Sequence, residues 1–304
     1  MSEDVNRAVA LGYFDGLHLG HRAVLAQALS AREKGLRPAV LLFDRPPAEA
    51  VSGVKVPRLI TDADRRERLA GMGFELCGAV FDELRELPPE AFVQTVLRDR
   101  LRARLVACGY NYTFGRGGAG DAKLLRTLCE KYGIETAVSA PVLYAGGEIS
   151  SSRIRRDIAA GHMAAAAEML GGGLRFTAPV FRGDGRGRLL DAPTANQYLP
   201  EGFIIPKHGV YAAYAETDGK VYPAVTNVGV RPTFHGDSLR CETFLIGFSG
   251  DLYGKALTLR LMELLREERV FPDADALRAQ IALDREEALR RLDTRFTKRL
   301  LFPS

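Results

Sequence analysis

Apolar positions along this chain follow two rhythms. In the first half, short apolar runs alternate with helical segments. Arg7–Leu11, Ala39–Phe43, Gly78–Phe81 and Leu105–Cys108 are strand candidates. Between them lie a helix over Arg22–Leu29, a charged helix from Asp62 to about Met72 capped by Thr61-Asp62, and one opened by Pro88-Pro89-Glu90. A loop is expected at Asp44-Arg45-Pro46-Pro47, and a further helix over Asp157–Leu170. Strands alternating with helices predict an α/β domain, doubly wound around a parallel sheet, with ligands at the carboxyl ends of its strands. Gly171-Gly172-Gly173 ends this pattern and divides the chain into 1–172 and 173–304. From Phe176 onward apolar and polar residues alternate, over Ala178–Phe181, Gly209–Ala215, Tyr222–Val225, Cys241–Phe248 and Ala256–Leu261. That rhythm predicts an antiparallel β-barrel or sandwich. Asp273 onward reads as one amphipathic C-terminal helix through Leu277, Ile281, Leu289 and Leu292.

Composition narrows the function classes. With 304 residues there is chain enough for two domains, each with its own core. The 42 basic residues nearly balance 38 acidic ones, and a net charge of +4 gives no case for a nucleic-acid binder. No uninterrupted apolar run suits a membrane span, and Met1-Ser2-Glu3-Asp4 has no basic leader, so a cytoplasmic protein is expected. Cys77, Cys108, Cys129 and Cys241 have no metal-ligand spacing and read as reduced thiols.

The candidate chemistry begins at the first strand's end. Gly12, Asp15 and Gly16 make a tight strand-to-helix turn, and His18 and His21 share one face of the first helical turn. A helix N-terminus attracts phosphate, and two imidazoles there can donate to a triphosphate as charge builds on departing pyrophosphate. The loop Gly109–Asp121 follows another strand and carries Tyr110, Asn111, Tyr112 and Phe114, which favours a ligand loop. Ser150, Ser151 and Ser152 can cap a helix and face phosphate, and Arg155 can neutralise charge on a leaving group. In the second half, Thr194 and Asn196 present hard oxygens at i, i+2, which suits Mg²⁺ held against ATP phosphates. Taken singly these strings also read as caps, turns and surface loops; their order and spacing give them weight.

Gly12 to His21 resembles the signature of nucleotidylyltransferases. Its form, Gly-x-Phe-Asp-Gly-x-His-x-Gly-His, is most similar to that of bacterial bifunctional riboflavin kinase/FMN adenylyltransferase. Ile149–Arg155 resembles the second half of that signature. Pro193-Thr194-Ala195-Asn196, Asn227–Phe234, Glu242 and Leu265-Arg266-Glu267 resemble the riboflavin kinase pattern. The resemblance implies a Rossmann-like first domain and a riboflavin kinase-like β-barrel second domain. It implies that Gly12, Phe14, Asp15, Gly16, Ser150, Ser151, Ser152 and Arg155 bind ATP for adenylyl transfer, with His18, His21 and Asn111 catalytic. It implies that Gly187 faces phosphate, that Thr194 and Asn196 hold Mg-ATP, that Glu242 is the base, and that Arg231 and Arg266 lie near the flavin. Riboflavin, FMN and ATP are then substrates, FAD a product, and Mg²⁺ the cofactor; the partners are small molecules, and homo-oligomerisation is left open.

Several positions depart from the family. Arg45-Pro46-Pro47 stands where Pro-His-Pro is usual, and Glu148 where a basic residue is common. Asp191, Phe244 and Gly247 are departures in the kinase half. These predict adenylyl transfer as the weaker activity, unless Arg45, Arg153 or Arg155 compensates. The alternatives are a kinase alone or a non-enzymatic flavin-binding regulator.

Overall fold

A computed structural model describes residues 5–183, 194–233 and 236–292. The chain forms two compact units, one of Met1–Val56 and Asp62–Ser150, the other of Pro57–Thr61 and Ser151–Ser304. No helix among the described residues is long and apolar enough to cross a membrane.

The first unit is built on five parallel strands: β1 Arg7–Leu11, β2 Arg37–Phe43, β3 Glu75–Ala79, β4 Ala103–Gly109 and β5 Glu135–Ser139, in the order β3-β2-β1-β4-β5. Near-continuous apolar runs suit strands buried on both faces; Val9, Leu41 and Val106 are all core residues. The helices are α1 Leu19–Ser30, α2 Pro47–Ser52, α3 Asp62–Gly71, α4 Phe81–Arg85, α5 Pro89–Ala91, which continues in wider π winding through Arg100, and α6 Ala122–Lys131. A small hairpin, β6 Leu143–Tyr144 with β7 Gly147–Glu148, ends the unit.

Four expectations need correction here. α1 starts at Leu19 rather than Arg22, because the His18 side chain caps it by accepting the His21 N–H. Pro47 opens a helix, its fixed φ suiting the first turn. The third strand is Glu75–Ala79 rather than 78–81: pairing with β2 runs from Ala39–Glu75 to Phe43–Ala79, and Asp44 then takes the Phe81 N–H as α4 begins. β5 and α6 were not anticipated. Asp121 caps α6 by accepting the Leu124 N–H, and polar β5 has only one buried residue, Ser139.

In the second unit, α7 Ser151–Ala160 and α8 Met163–Leu170 replace the single helix expected over 157–170. Gly161, at φ 86°, breaks it, and a Cβ there would lie 2.9 Å from the Lys207 side chain. The strands are β8 Leu174–Pro179, β9 Ala195–Tyr198, β10 Gly209–Thr217, β11 Lys220–Thr233, β12 Gly236–Leu245 and β13 Ala256–Arg266. They form one curled antiparallel sheet, β8-β13-β10-β11-β12-β9, whose two ends approach through a Phe181–Asn196 bridge. Inside, Gln197 is fully buried and donates to the Ala178 and Leu257 carbonyls, tying β9 to β8 and β13. Short alternating strands curl because burying one face of a twisted sheet draws its edges together.

The C-terminal helix, α9 Ala274–Arg291, packs on β10, β11 and β13. Asp273 caps it by accepting the Ala276 N–H. Its inner stripe keeps Leu292, and Leu277 and Ile281 are half-buried, but Leu289 departs from the expectation. Leu289 is 45% exposed, whereas Asp284, Ala288 and Leu292 are buried.

Candidate functional site

The chain leaves β1 on one side toward β2, while β4 lies on its other side. This is the sheet's topological switch point, where the carboxyl ends of two neighbouring strands open a crevice. Both ligand-loop candidates of the first unit follow these two strands.

The turn after β1 is wound tightly. Phe14 at φ 60°, Gly16 at 82° and Leu17 at 48° are all left-handed. A bulky residue adopts that region only when its surroundings hold it there. Phe14 is 1% exposed, and its ring meets the His21 ring edge-on, centroids 5.4 Å apart. Gly12 makes room, since a Cβ there would lie 3.0 Å from the Phe14 ring. The chain therefore delivers His18 as the N-cap of α1 and His21 within its first turn. Their rings stack at 3.6 Å and 17°. The Nδ1 of His18 accepts the His21 N–H at 3.2 Å, which leaves Nε2 as the donor of the neutral ring. Gly20 lets the rings sit so close, because a Cβ there would be 3.1 Å from His18 Cε1. The expected pair is thus brought together, with backbone N–H groups of a helix start beneath it. Arg22 donates to the Leu17 carbonyl, and burial pulls its pKa below the usual arginine value.

Arg65 is the residue that sequence reasoning missed here. It stands in the charged run Asp64-Arg65-Arg66-Glu67, yet is only 1% exposed. It donates to the Tyr13 carbonyl at 2.7 Å, the Phe43 carbonyl at 3.3 Å and Asp62 at 2.9 Å, and lies 4.0 Å over the Tyr13 ring. One guanidinium thereby pins the ends of β1 and β2. No spacing signal marks it out; only burial does.

Asn111 follows β4 and is exposed, its Oδ1 close above Gly109. Phe114 is buried and Tyr112 half-buried, which anchors the loop. Tyr110 donates its hydroxyl to Glu148, and this bond raises the Tyr110 pKa above its ordinary value. Glu148 is therefore held by a neutral donor, and Arg45 is paired with Asp82. Ser150 closes the first unit. Ser151 and Ser152 open α7, which Ile154 and Ile158 anchor, and Arg155 donates to the Pro57 carbonyl at 2.6 Å.

In the second unit, residues far apart in sequence form one line across the sheet. In register, Asn196 of β9 faces Glu242 of β12, Glu242 faces Asn227 of β11, Asn227 faces Val210 of β10, and Val210 faces Arg266 of β13. Directly opposed residues of antiparallel strands share a face. The opposite face holds the core, including the fully buried Thr226 and Thr243, whose hydroxyls bond at 3.1 Å. Glu242 keeps 24% side-chain exposure. Asn196 is buried, and its carboxamide occupies the space a Cβ on Gly183 would need. Asn227 donates to Glu268 at 2.9 Å. The guanidinium of Arg266 is held by Asp284 of α9 through bonds of 2.8–3.1 Å. Gly187 and the side chain of Arg231 lie outside the described residues.

Residues 1–153 match the FAD synthetase family, and residues 170–292 match riboflavin kinase. The bifunctional riboflavin kinase/FMN adenylyltransferase of Listeria monocytogenes is 33% identical over 290 residues, covering 93% of this chain and 92% of the relative. That of Bacillus subtilis is 34% identical over 296 residues, covering 95% and 93%. The chain belongs to the bifunctional riboflavin kinase/FMN adenylyltransferase family. A crystal structure of a macrolide-efflux protein from Streptococcus pneumoniae also superposes on it, with TM-score 0.85 and 29% identity over 96% of each chain.

Within this bifunctional family, the two units carry their motifs differently. The adenylyltransferase-like unit presents His18 and His21 on one contiguous turn. The kinase-like unit assembles Asn196, Glu242 and Arg266 by strand register, and adds Asn227, Glu268 and Asp284, none of which had a role assigned from sequence. Among the described residues no three His, Cys, Asp or Glu side chains cluster to cage a metal. Thr194, Asn196 and Glu242 offer hard oxygens, and Gly183 leaves a cradle over Asn196. That set fits Mg²⁺, which takes few protein ligands alongside phosphates and water.

Proposed function

We propose that this protein is a bifunctional flavin-cofactor synthase. Its second unit phosphorylates riboflavin with ATP to give FMN and ADP. Its first unit adenylylates FMN with a second ATP to give FAD and pyrophosphate. Family membership over nearly the whole chain supports both steps. The observation that carries the kinase reading is the single cross-strand line Asn196–Glu242–Asn227.

In the kinase step Glu242 accepts the proton of the ribityl 5′-hydroxyl, and that oxygen attacks the γ-phosphorus as ADP leaves. Thr194 and Asn196 hold the ATP phosphates and would hold Mg²⁺, which when bound supplies charge neutralisation at those phosphates. Arg266, fixed by Asp284, faces the flavin. In the adenylyl step the FMN phosphate attacks the α-phosphorus in line. His18, His21 and Asn111 stabilise charge on pyrophosphate, with Gly12, Phe14, Asp15 and Gly16 shaping the turn. Ser150, Ser151, Ser152 and Arg155 contribute to ATP binding by the family pattern. The functional boundary is placed at 172/173, and the enzyme is cytoplasmic.

The test is one reaction mixture of protein, riboflavin, ATP and Mg²⁺, resolved by chromatography. FMN and FAD together are expected. FMN alone favours a kinase with a silent first unit, the reading that Pro46 and Glu148 support. Neither product overturns the proposal.

A further inference from the structure

Arg240 has no role in the reading above, yet its setting is unusual. It stands two residues before Glu242 on β12, on the same face. In register it lies between Tyr198 of β9 and Gly229 of β11. Its side chain is 8% exposed, and its Nε is buried without a hydrogen-bond partner among the described residues. Arginine is almost never buried unless it is paired and hydrogen-bonded, and a buried donor such as this Nε, without a hydrogen bond among the described residues, calls for an explanation. The surrounding wall is firm. Tyr198 stacks on Phe181 at 4.2 Å and 10°. The Glu268 carboxylate fills the place over Gly229 and is already engaged by Asn227. Among the described residues the carboxylate within ionic reach is Glu242, whose Oε1 lies 3.9 Å from Arg240 Nε. That is about 1 Å longer than a charge-assisted hydrogen bond. Catalytic hydrogen bonds are commonly long in ligand-free enzymes and tighten when substrate binds.

We propose that Arg240 is the positioning residue of the kinase base: its guanidinium closes onto the Glu242 carboxylate when riboflavin and Mg-ATP bind, and aims the other carboxylate oxygen at the ribityl hydroxyl. The inference rests on the assignment of Glu242 as that base. Arginine suits the task because its planar fork fixes direction as well as charge, which a lysine does only in part.

The experiment compares wild type, R240M and R240K. It measures kcat and KM for riboflavin phosphorylation, and in the same preparations FAD formation from supplied FMN. A misplaced base by about 1 Å costs on the order of 100-fold in turnover. R240M is therefore expected to lose about 100-fold in kcat, with KM for ATP and riboflavin within about twofold and FAD formation intact. R240K is expected to regain about tenfold of that loss. An R240M variant with wild-type kcat, a loss carried wholly by KM, or an R240K no better than R240M overturns the proposal. A fall in FAD formation alongside marks a damaged fold and likewise counts against it. If wild type makes no FMN at all, the kinase assignment itself fails, which is distinct from failure of Arg240.

Discussion

The histidine turn and the cross-strand line solve the same problem in opposite ways. In the proposed function each holds polar groups against a nucleotide phosphate. The turn does so within ten consecutive residues, using left-handed Phe14 and Leu17, glycines at close approaches and the His18 imidazole accepting the His21 backbone N–H. The line draws Asn196, Asn227, Glu242 and Arg266 from four strands spread over about 70 residues, and its geometry is fixed by register. The first arrangement depends on contacts between near neighbours in the chain. The second depends on the sheet's register, and has close approaches of its own at Gly183 and Gly229.

The comparison breaks most sharply at the base. Glu242→Gln keeps size and strand pairing but removes the proposed proton acceptor. FMN formation is expected to fall by about 100- to 10,000-fold, the usual worth of a general base, while FAD formation from supplied FMN is unchanged. Parallel loss of both activities in the folded variant would end the division of labour between the units.

His18→Ala and His21→Ala each remove one of the donors proposed for pyrophosphate. A loss of about 100- to 1,000-fold in FMN-to-FAD turnover is expected, with riboflavin phosphorylation untouched. His18→Ala also removes the cap of α1, at a cost of about 1 kcal/mol. Its melting temperature should therefore drop by more than that of His21→Ala.

The departures at Pro46 and Glu148 give a gain-of-function test. Pro46 stands at the N-cap of α2 without a side-chain donor, and Glu148 is held by Tyr110. Arg45 is committed to Asp82, and Arg155 to the Pro57 carbonyl, which limits both as substitutes. Pro46→His with Glu148→Arg is expected to speed FAD synthesis by tens of fold, since a single donor there is worth about 100-fold. Equal native rates for the two activities, with no gain in the double variant, would show that other groups already fill the role.

The smallest effects are expected at two glycines, one in each unit. Gly20→Ala places a methyl 3.1 Å from the His18 ring. A shift of a few tenths of an ångström should cost less than about tenfold in FAD formation, because about 1 Å costs 100-fold. Gly219→Ala in the β10–β11 hairpin has open space around its Cβ, though its φ of 72° is strained. It should lower stability by about 1 kcal/mol with kinase kcat unchanged.

Reading the chain alone went furthest where interactions are short-ranged. The turn at residues 12–21, the alternation of β1, β2 and β4 with helices, and the change to antiparallel strands after Phe176 depend on neighbours within a few positions. Turn chemistry and burial period are written there in order. The motif residues Thr194, Asn196 and Glu242 were visible as strings, but not as neighbours. What the tertiary structure decided was which residues meet. It put Asn227 beside Glu242, turned Arg240 toward the same face, and gave α9 a buried Asp284 to grip Arg266 where a purely apolar stripe through Leu289 was expected. It also buried Arg65 beneath the histidine turn, in a helix whose charge suggested solvent. A charged side chain carries the same letter whether it faces water or a carbonyl. Only the packing of elements distant in sequence removes the water and supplies the partner, and no local pattern records that exchange.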